Sequence, residues 1–294
     1  MTEMPPLDLA KLPGLHWSPN GQSTLSGDLL HLFRSLSLPW NRWRRDFGAT
    51  EYECPTFLSA DSMGRMKYFA SFPHLVTFAV NVDGDEATLK DFSKTQTVDP
   101  SGTVGPFKEA PIRNALTPAP CYHLYPQFSG SKLDGPLFLG TRNDTYRREA
   151  HYQPLVRQWN YHSEEIVCLG SLEEVRAFLT AMPAKWDEFF QTVGLPMEWE
   201  TATDPFFNPS QNPNALMQKL DPVKREVTYQ GKLALGSANF HRNFFCETFQ
   251  IEREGKTAFS ACVGWGIERM MYAFLTHFGY DRERWPDLQK LYGQ

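Results

Sequence analysis

The stretch Cys262-Val263-Gly264-Trp265-Gly266-Ile267-Glu268-Arg269 constrains this chain most, because an apolar run breaks at two glycines and is followed by an arginine. Residues 257 to 265 are small, aromatic or β-branched, including Thr257, Phe259, Val263 and Trp265, which suits a buried strand. Ile267, Met270, Met271, Phe274, Leu275 and Phe278 then recur at helical spacing. A strand therefore runs into a helix at Gly264 and Gly266. With no side chains there, the backbone can approach a ligand closely, and Arg269 in the first helical turn adds a permanent cation beside unpaired amides. Such a place suits phosphate. A plain strand-to-helix turn uses the same glycines, so a second element has to decide.

That second element is Tyr146-Arg147-Arg148-Glu149, followed by a polar loop and Arg157-Gln158-Trp159-Asn160-Tyr161-His162-Ser163-Glu164-Glu165. It reads as two strands around a loop. Alternation points Arg147 and Glu149 to one face and aligns Arg157, Trp159, Tyr161, Ser163 and Glu165. Arginine matches phosphate oxygens, a carboxylate accepts from an exocyclic amine, and an aromatic ring stacks on a purine. A salt-bridged hairpin face has the same composition.

In that order the three strings (aromatic-Arg-x-Glu, Arg-x-x-x-aromatic-x-x-x-Glu, Gly-x-Gly-x-x-Arg) resemble motifs 2 and 3 of the class II aminoacyl-tRNA synthetases. An amphipathic helix with Leu25, Leu29, Leu32, Phe33 and Leu36, then a strand ending at Glu53-Cys54-Pro55, is similar to motif 1. The chain resembles one branch more closely, the amino acid:carrier protein ligases, which look like catalytic cores of an atypical, archaeal-type seryl-tRNA synthetase. Segments carrying this likeness are Ser71-Phe72-Pro73-His74-Leu75, Cys121-Tyr122, Tyr146 to Glu149, Asp204-Pro205-Phe206-Phe207, Asn239-Phe240-His241 and Cys262 to Arg269, spread from Thr50 to Asp281. The resemblance implies an α+β fold, a mainly antiparallel sheet flanked by helices. It also implies a homodimer built through motif 1.

The implied chemistry is ATP-dependent formation of an aminoacyl adenylate, then transfer to the phosphopantetheine thiol of a carrier protein. Arg147 would hold the α-phosphate, Glu149 the adenine amine and Arg269 the γ-phosphate. Arg157 would take outer phosphates, and Tyr161 would stack on the ring. The resemblance further implies Zn2+ held by Cys121, Glu165 and Cys262, in an amino-acid pocket that includes Asn239 and His241. By spacing alone these cysteines are too far apart for a local zinc knuckle and read as core thiols. Glu164 competes with Glu165; Glu165 stands four residues after Tyr161 and five before Gly170, as the pattern requires. The family places acids for Mg2+ just ahead of motif 3, whereas Leu233 to Ser237 offers none, leaving Glu247 as a substitute. Asn243-Phe244-Phe245-Cys246 replaces a more polar family segment, so glycine or alanine is not assumed as substrate.

Composition fits this reading. A chain of 294 residues with 41% apolar residues can bury one large core, so a single catalytic domain is expected over 1–294, with 1–20 as an N-terminal extension and no separate tRNA-binding domain. The balance of 29 basic against 34 acidic residues, net charge −5, argues against tRNA, since phosphate backbones call for a concentrated basic surface. Arg42, Arg44 and Arg45 form one basic run, read as a solvated turn or as a contact for an acidic carrier. The N-terminus has no signal-like pattern and no run reaches the length of a membrane span, so a cytoplasmic protein is expected. Five cysteines argue against a disulfide framework. The remaining alternatives are a synthetase paralogue acylating tRNA or a protein lysine, and an inactive regulatory paralogue.

Farther along, Ser171-Leu172-Glu173-Glu174 is a capping box opening a long amphipathic helix that ends at Gly194, with Pro183 expected to kink it. Strands are expected from Val227 to Phe240 and from Phe244 to Glu252.

Overall fold

The computed structural model describes residues 9–293; the first eight residues of the expected N-terminal extension lie outside them. A hairpin of β1 (Leu15–Ser18) and β2 (Gln22–Leu25) leads into α1 (Gly27–Ser35) and α2 (Ser37–Asp46), then strand β3 (Thr50–Glu53). The long strands β4 (Leu137–Tyr146) and β5 (Asn160–Gly170) follow, then α3 (Leu172–Val193), β6 (Glu198–Ala202) and α4 (Pro213–Leu220). The chain continues through β7 (Lys224–Tyr229), β8 (Leu233–Arg242), α5 (Phe244–Phe249), β9 (Phe259–Gly266) and α6 (Ile267–Phe278). Seven strands make the main sheet in the order β3-β4-β5-β9-β8-β7-β6. Every pairing is antiparallel except β3 with β4. This is the α+β architecture the sequence leads one to expect.

Two elements differ from the sequence reading. Leu25 ends a hairpin strand, and the motif 1 helix is two helices, with Leu29 and Leu32 buried in α1 and Trp40 and Trp43 in α2. The basic run Arg42 to Arg45 lies in α2, where Arg44 is mostly buried and pairs with Glu51 at 2.8 Å. Residues 244–249, expected as a strand, form α5, which buries Phe245, Cys246 and Phe249. The spacing of those three residues puts them on one side of a helix, and tertiary burial of that side overrides the β-propensity of the aromatics.

The sheet separates two apolar clusters. One packs α1, α2, α3 with its Trp186, and α6 against Val263 and Trp265 of β9; the other gathers Leu58, Tyr125, Val167, Phe249 and Cys262 on the opposite side. At the centre of the first, Trp265 lies 5.1 Å from Trp43 and 5.6 Å from Trp186, ring centre to ring centre. Strand alternation then sends Gly264 and Gly266 to the other face. Helix α3 holds one side of this core for 22 residues and contains Pro183 in its interior. Its capping box is complete: Ser171 Oγ accepts from the Glu174 amide at 3.3 Å, and Glu174 Oε2 accepts from the Ser171 amide at 2.7 Å. Gly194 closes it in a left-handed conformation at φ 73°. Ser171→Ala is expected to lower stability by about 1 kcal/mol in denaturant titration, the usual worth of an N-cap.

Candidate active site

The sheet face opposite the tryptophans borders a cavity of about 540 Å³. Its floor is set by register. Gly266 pairs with Ser163, Gly264 with Glu165 and Cys262 with Val167, while on the other edge of β9 Gly264 meets Ser237 and Cys262 meets Asn239. Glu164 falls on the helix side instead, buried, where its Oε2 accepts from Trp265 Nε1 at 3.0 Å. Burial pushes the Glu164 carboxyl up to about 7. The two adjacent glutamates are thus separated by the pleat.

The first group in the cavity is cationic. β4 ends at Tyr146 and β5 begins at Asn160, so Arg147, Glu149 and Arg157 lie in the connection and not on strands. Arg147 is nevertheless fixed: its amide donates to Trp159 O at 3.0 Å, its Nε donates to Pro118 O at 3.1 Å, and its guanidinium lies 5.6 Å from the Tyr161 ring centre. Arg157 donates to Glu149 Oε2 at 2.8 Å. Arg269 reaches across from α6, donating through Nε to Val156 O at 2.8 Å and through a terminal nitrogen to Ala234 O at 3.0 Å. Trp159, aligned with this face by alternation, turns elsewhere and donates its indole N–H to Thr77 Oγ1 at 3.0 Å, because the strand has not yet begun there. The β1–β2 hairpin buttresses the connection: Trp159 N donates to Gly21 O at 2.8 Å and Ser23 Oγ donates to Gln158 Oε1 at 2.9 Å.

The second group consists of Cys121, Glu165 and Cys262, all buried, with one ligand atom from each within 4.8 Å of the others. Cys121 rides on a 3-10 turn, Pro120–His123, and its amide donates to Glu165 Oε2 at 3.2 Å. Asn239 Nδ2 donates to Cys262 Sγ at 3.4 Å and to Ser237 Oγ at 2.9 Å, which leaves its carbonyl oxygen as an acceptor. His241 Nε2 lies 3.5 Å from the same sulfur, and its Nδ1 shares a hydrogen bond with Tyr125 OH at 3.0 Å. Burial pushes the Glu165 carboxyl up to about 8, with Cys262 adding to the shift. A hydrogen bond between the two thiols, Cys121 donating, raises Cys121 and lowers Cys262. Two sulfurs and a carboxylate in close quarters suit a tetrahedral Zn2+ with one position left open, and such an ion would favour the deprotonated forms that burial opposes.

Several cavity residues escaped sequence reasoning. Lys224, mostly buried, bridges Asp204 at 3.0 Å and Glu226 at 3.1 Å, and Asp204 also accepts from Gln218 Nε2 at 2.9 Å. The alternation Lys224-Arg225-Glu226 hinted that two charges share a face, but nothing local said that the face was enclosed. Glu226 sits opposite Ser237, one strand away from the acid-free Leu233–Ser237 segment. Glu247 is exposed at the rim. Tyr68, buried against the cavity, follows Lys67 in a left-handed conformation at φ 54° and had no sequence signal.

Behind Arg269, Glu268 anchors α6 to β5. It accepts from the His162 amide at 2.9 Å and lies 2.6 Å from His162 Nδ1, while His162 Nε2 meets Asp144 at 2.9 Å. Burial alone would lower the His162 pKa, but the two carboxylates outweigh it and push it up to about 10. Because the folded value is raised above the ordinary value of 6.5, the stabilisation is complete below pH 6.5 and is lost as pH rises through 10. For a half-exposed histidine this should amount to about 1 kcal/mol after solvent screening. The stability gap between wild type and His162→Gln should accordingly close between pH 6.5 and 10; a pH-independent gap would show that His162 is not charged.

No protein-family model matches the chain. Among curated proteins it is similar to amino acid–[acyl-carrier-protein] ligases 1 and 2 of Bradyrhizobium diazoefficiens. Identity to the first is 27% over 250 residues, covering 82% of this chain and 76% of the relative; to the second it is 28% over 243 residues, covering 79% and 71%. The type-2 serine–tRNA ligase of Methanococcus maripaludis is 25% identical over 293 residues, 93% of this chain but 57% of that protein. Among solved structures, M. kandleri SerRS in complex with A. aeolicus tRNASec superposes with a TM-score of 0.80 at 19% identity, covering 95% of this chain and 59% of that one. Prolyl-tRNA synthetase from Cryptosporidium parvum, complexed with halofuginone and AMPPNP, gives 0.67 at 12% identity, covering 90% and 50%. The fold is that of a class II synthetase catalytic core.

Proposed function

We propose that this chain, a class II synthetase-like relative of the amino acid–[acyl-carrier-protein] ligases, activates an amino acid with ATP and passes it to the phosphopantetheine thiol of a carrier protein. One observation carries the reading: the Arg147, Glu149, Tyr161 and Arg269 group and the Cys121, Glu165 and Cys262 group border a single cavity.

In the first step a carboxylate oxygen of the amino acid attacks the α-phosphorus, the bond to the bridging oxygen breaks, and pyrophosphate leaves with the electron pair. Arg147 neutralises charge developing on the α-phosphate, and Arg269 holds the outer phosphates. Both arginines already lean on backbone carbonyls, so little reorganisation is needed. Glu149 offers Oε1 to the adenine amine, since its ion pair with Arg157 uses Oε2. Tyr161 lends a ring to the base. Mg2+ would accompany the triphosphate, and Glu226, opposite Ser237, and Glu247, at the rim, are the cavity acids proposed to hold it. Zn2+ held by Cys121, Glu165 and Cys262 would offer its open position to the substrate α-amine. Asn239, through its carbonyl oxygen, would accept a hydrogen bond from that amine. In the second step the acceptor sulfur attacks the acyl carbon, AMP leaves, and the thiol proton passes to solvent or phosphate. Positioning supplies much of the rate because the mixed anhydride is already activated.

Amino-acid-dependent exchange of labelled pyrophosphate into ATP should occur with one member of a broad panel. Arg147→Ala and Arg269→Ala should each lower it at least 100-fold in a folded protein, since each removes a charge contact to the reacting phosphates. Near-normal exchange in either variant would refute the site. Label from the activated amino acid should then move to a phosphopantetheinylated carrier; label appearing on tRNA instead would favour the synthetase reading that the serine–tRNA ligase relatives represent. Elemental analysis should find about one zinc per chain, lost in Cys121→Ser, on the three-ligand logic. Metal retained in that variant would remove Cys121 from the set.

A further inference from the structure

The two glycines that open the nucleotide-like turn are not equivalent. A Cβ placed on Gly264 would lie 2.5 Å from Glu165 Cγ, 3.4 Å from Glu165 Cβ and 2.8 Å from the backbone oxygen of Glu164. A Cβ placed on Gly266 would meet nothing nearer than Tyr161 Cδ2, at 4.0 Å. Neither glycine is forced by backbone conformation: Gly264 does not have a left-handed φ, and Gly266 is extended at φ −97°. What excludes a side chain at Gly264 is therefore occupancy. The space is filled by the Glu165 side chain folding across from the paired strand, at the register position directly opposite.

We infer that Gly264 is a positioning residue for the metal-ligating carboxylate and that only Gly266 serves the nucleotide. Resting on the zinc reading above, this divides a motif that looks like one phosphate turn into two functions. The Glu165 methylenes lie flat over Gly264, which aims the carboxylate at Cys121, whose amide already donates to Oε2 at 3.2 Å. Any larger residue at 264 lifts Glu165 off the strand and out of ligand range of Cys121 and Cys262. The backbone oxygen of Glu164 closes the other escape, because Glu164 itself is tied down by Trp265 on the far face. At position 266 the vacant space lies beside Tyr161, where a purine would stack, so a methyl group there obstructs the base and leaves the metal ligands untouched.

The test compares Gly264→Ala and Gly266→Ala in the full chain, reading equilibrium Zn2+ or Co2+ binding and, separately, ATP binding. Gly264→Ala should weaken metal binding by roughly 10- to 100-fold, the range seen when groups orienting a ligand are disturbed, and change ATP affinity less than about threefold. Gly266→Ala should do the reverse. The opposite pattern, or unchanged metal binding in Gly264→Ala, overturns the inference. A wild-type protein that takes up no metal instead sinks the underlying zinc reading. Packing is tested separately by a double-mutant cycle on stability. Gly264→Ala should cost clearly less in a Glu165→Ala background than in wild type, including the case where the single variant folds poorly. Equal cost in both backgrounds would show that the Glu165 side chain does not occupy the site.

Discussion

The register of β9 between β5 and β8 is the constraint on which the molecule depends. One strand supplies both the aromatic centre of the helix-side core and the floor of the cavity, and the pleat alone decides which residue does which. Trp265 packs among Trp43 and Trp186, and this fixes Gly264 and Gly266 on the opposite face. A slip of one residue would put the indole in the cavity and bury the cysteine away from its partners. Core packing and site geometry are therefore one arrangement seen from two sides.

Charge is placed in this cavity by anchoring it. Arg147 and Arg269 lean on backbone carbonyls, which keeps them charged and aimed without cancelling them with carboxylates. Arg157 and Lys224 are instead matched by acids. The cavity thus holds two cations, Arg147 and Arg269, that no ion pair among the described residues neutralises. At the other end, Cys121, Glu165 and Cys262 crowd together where burial disfavours every negative form, a situation that a bound cation relieves. The His162 group does comparable work behind the site, holding the first turn of α6 against β5 so that Arg269 springs from a fixed point.

The connection carrying Arg147, Glu149 and Arg157 gains its order from outside itself. The β1–β2 hairpin, more than 130 residues earlier in the chain, bonds to Trp159 and Gln158, and Arg269 bonds to Val156. Segment 204–220 closes a further side through Asp204, which joins Gln218 of α4 to Lys224 of β7. Helix α5 sets the end wall, where Phe245 stacks on Tyr125 at 4.3 Å and meets the His241 edge at 4.9 Å.

The sequence by itself determined the strand-to-helix turn at 264–266 and the capping box and C-cap of α3, because each is written in local periodicity, glycine placement or short motifs, whereas the α+β class and the grouping of Cys121, Glu165 and Cys262 came from the family resemblance. Local sequence failed where burial came from distant segments. Phe244 to Phe249 read as a strand but became a helix because a tertiary face covers one side of it. Trp159 was misaligned because the strand began one residue later. The choice of Glu165 over Glu164, taken from the family pattern, agrees with the structure, where it has a physical cause. That cause is cross-strand pairing with Trp265 and Gly264, so one carboxylate went to the helix core and the other toward two cysteines, 44 residues before it and 97 after. Only the fold could bring those three together, since sequence spacing carries no information about which strands become neighbours in a sheet.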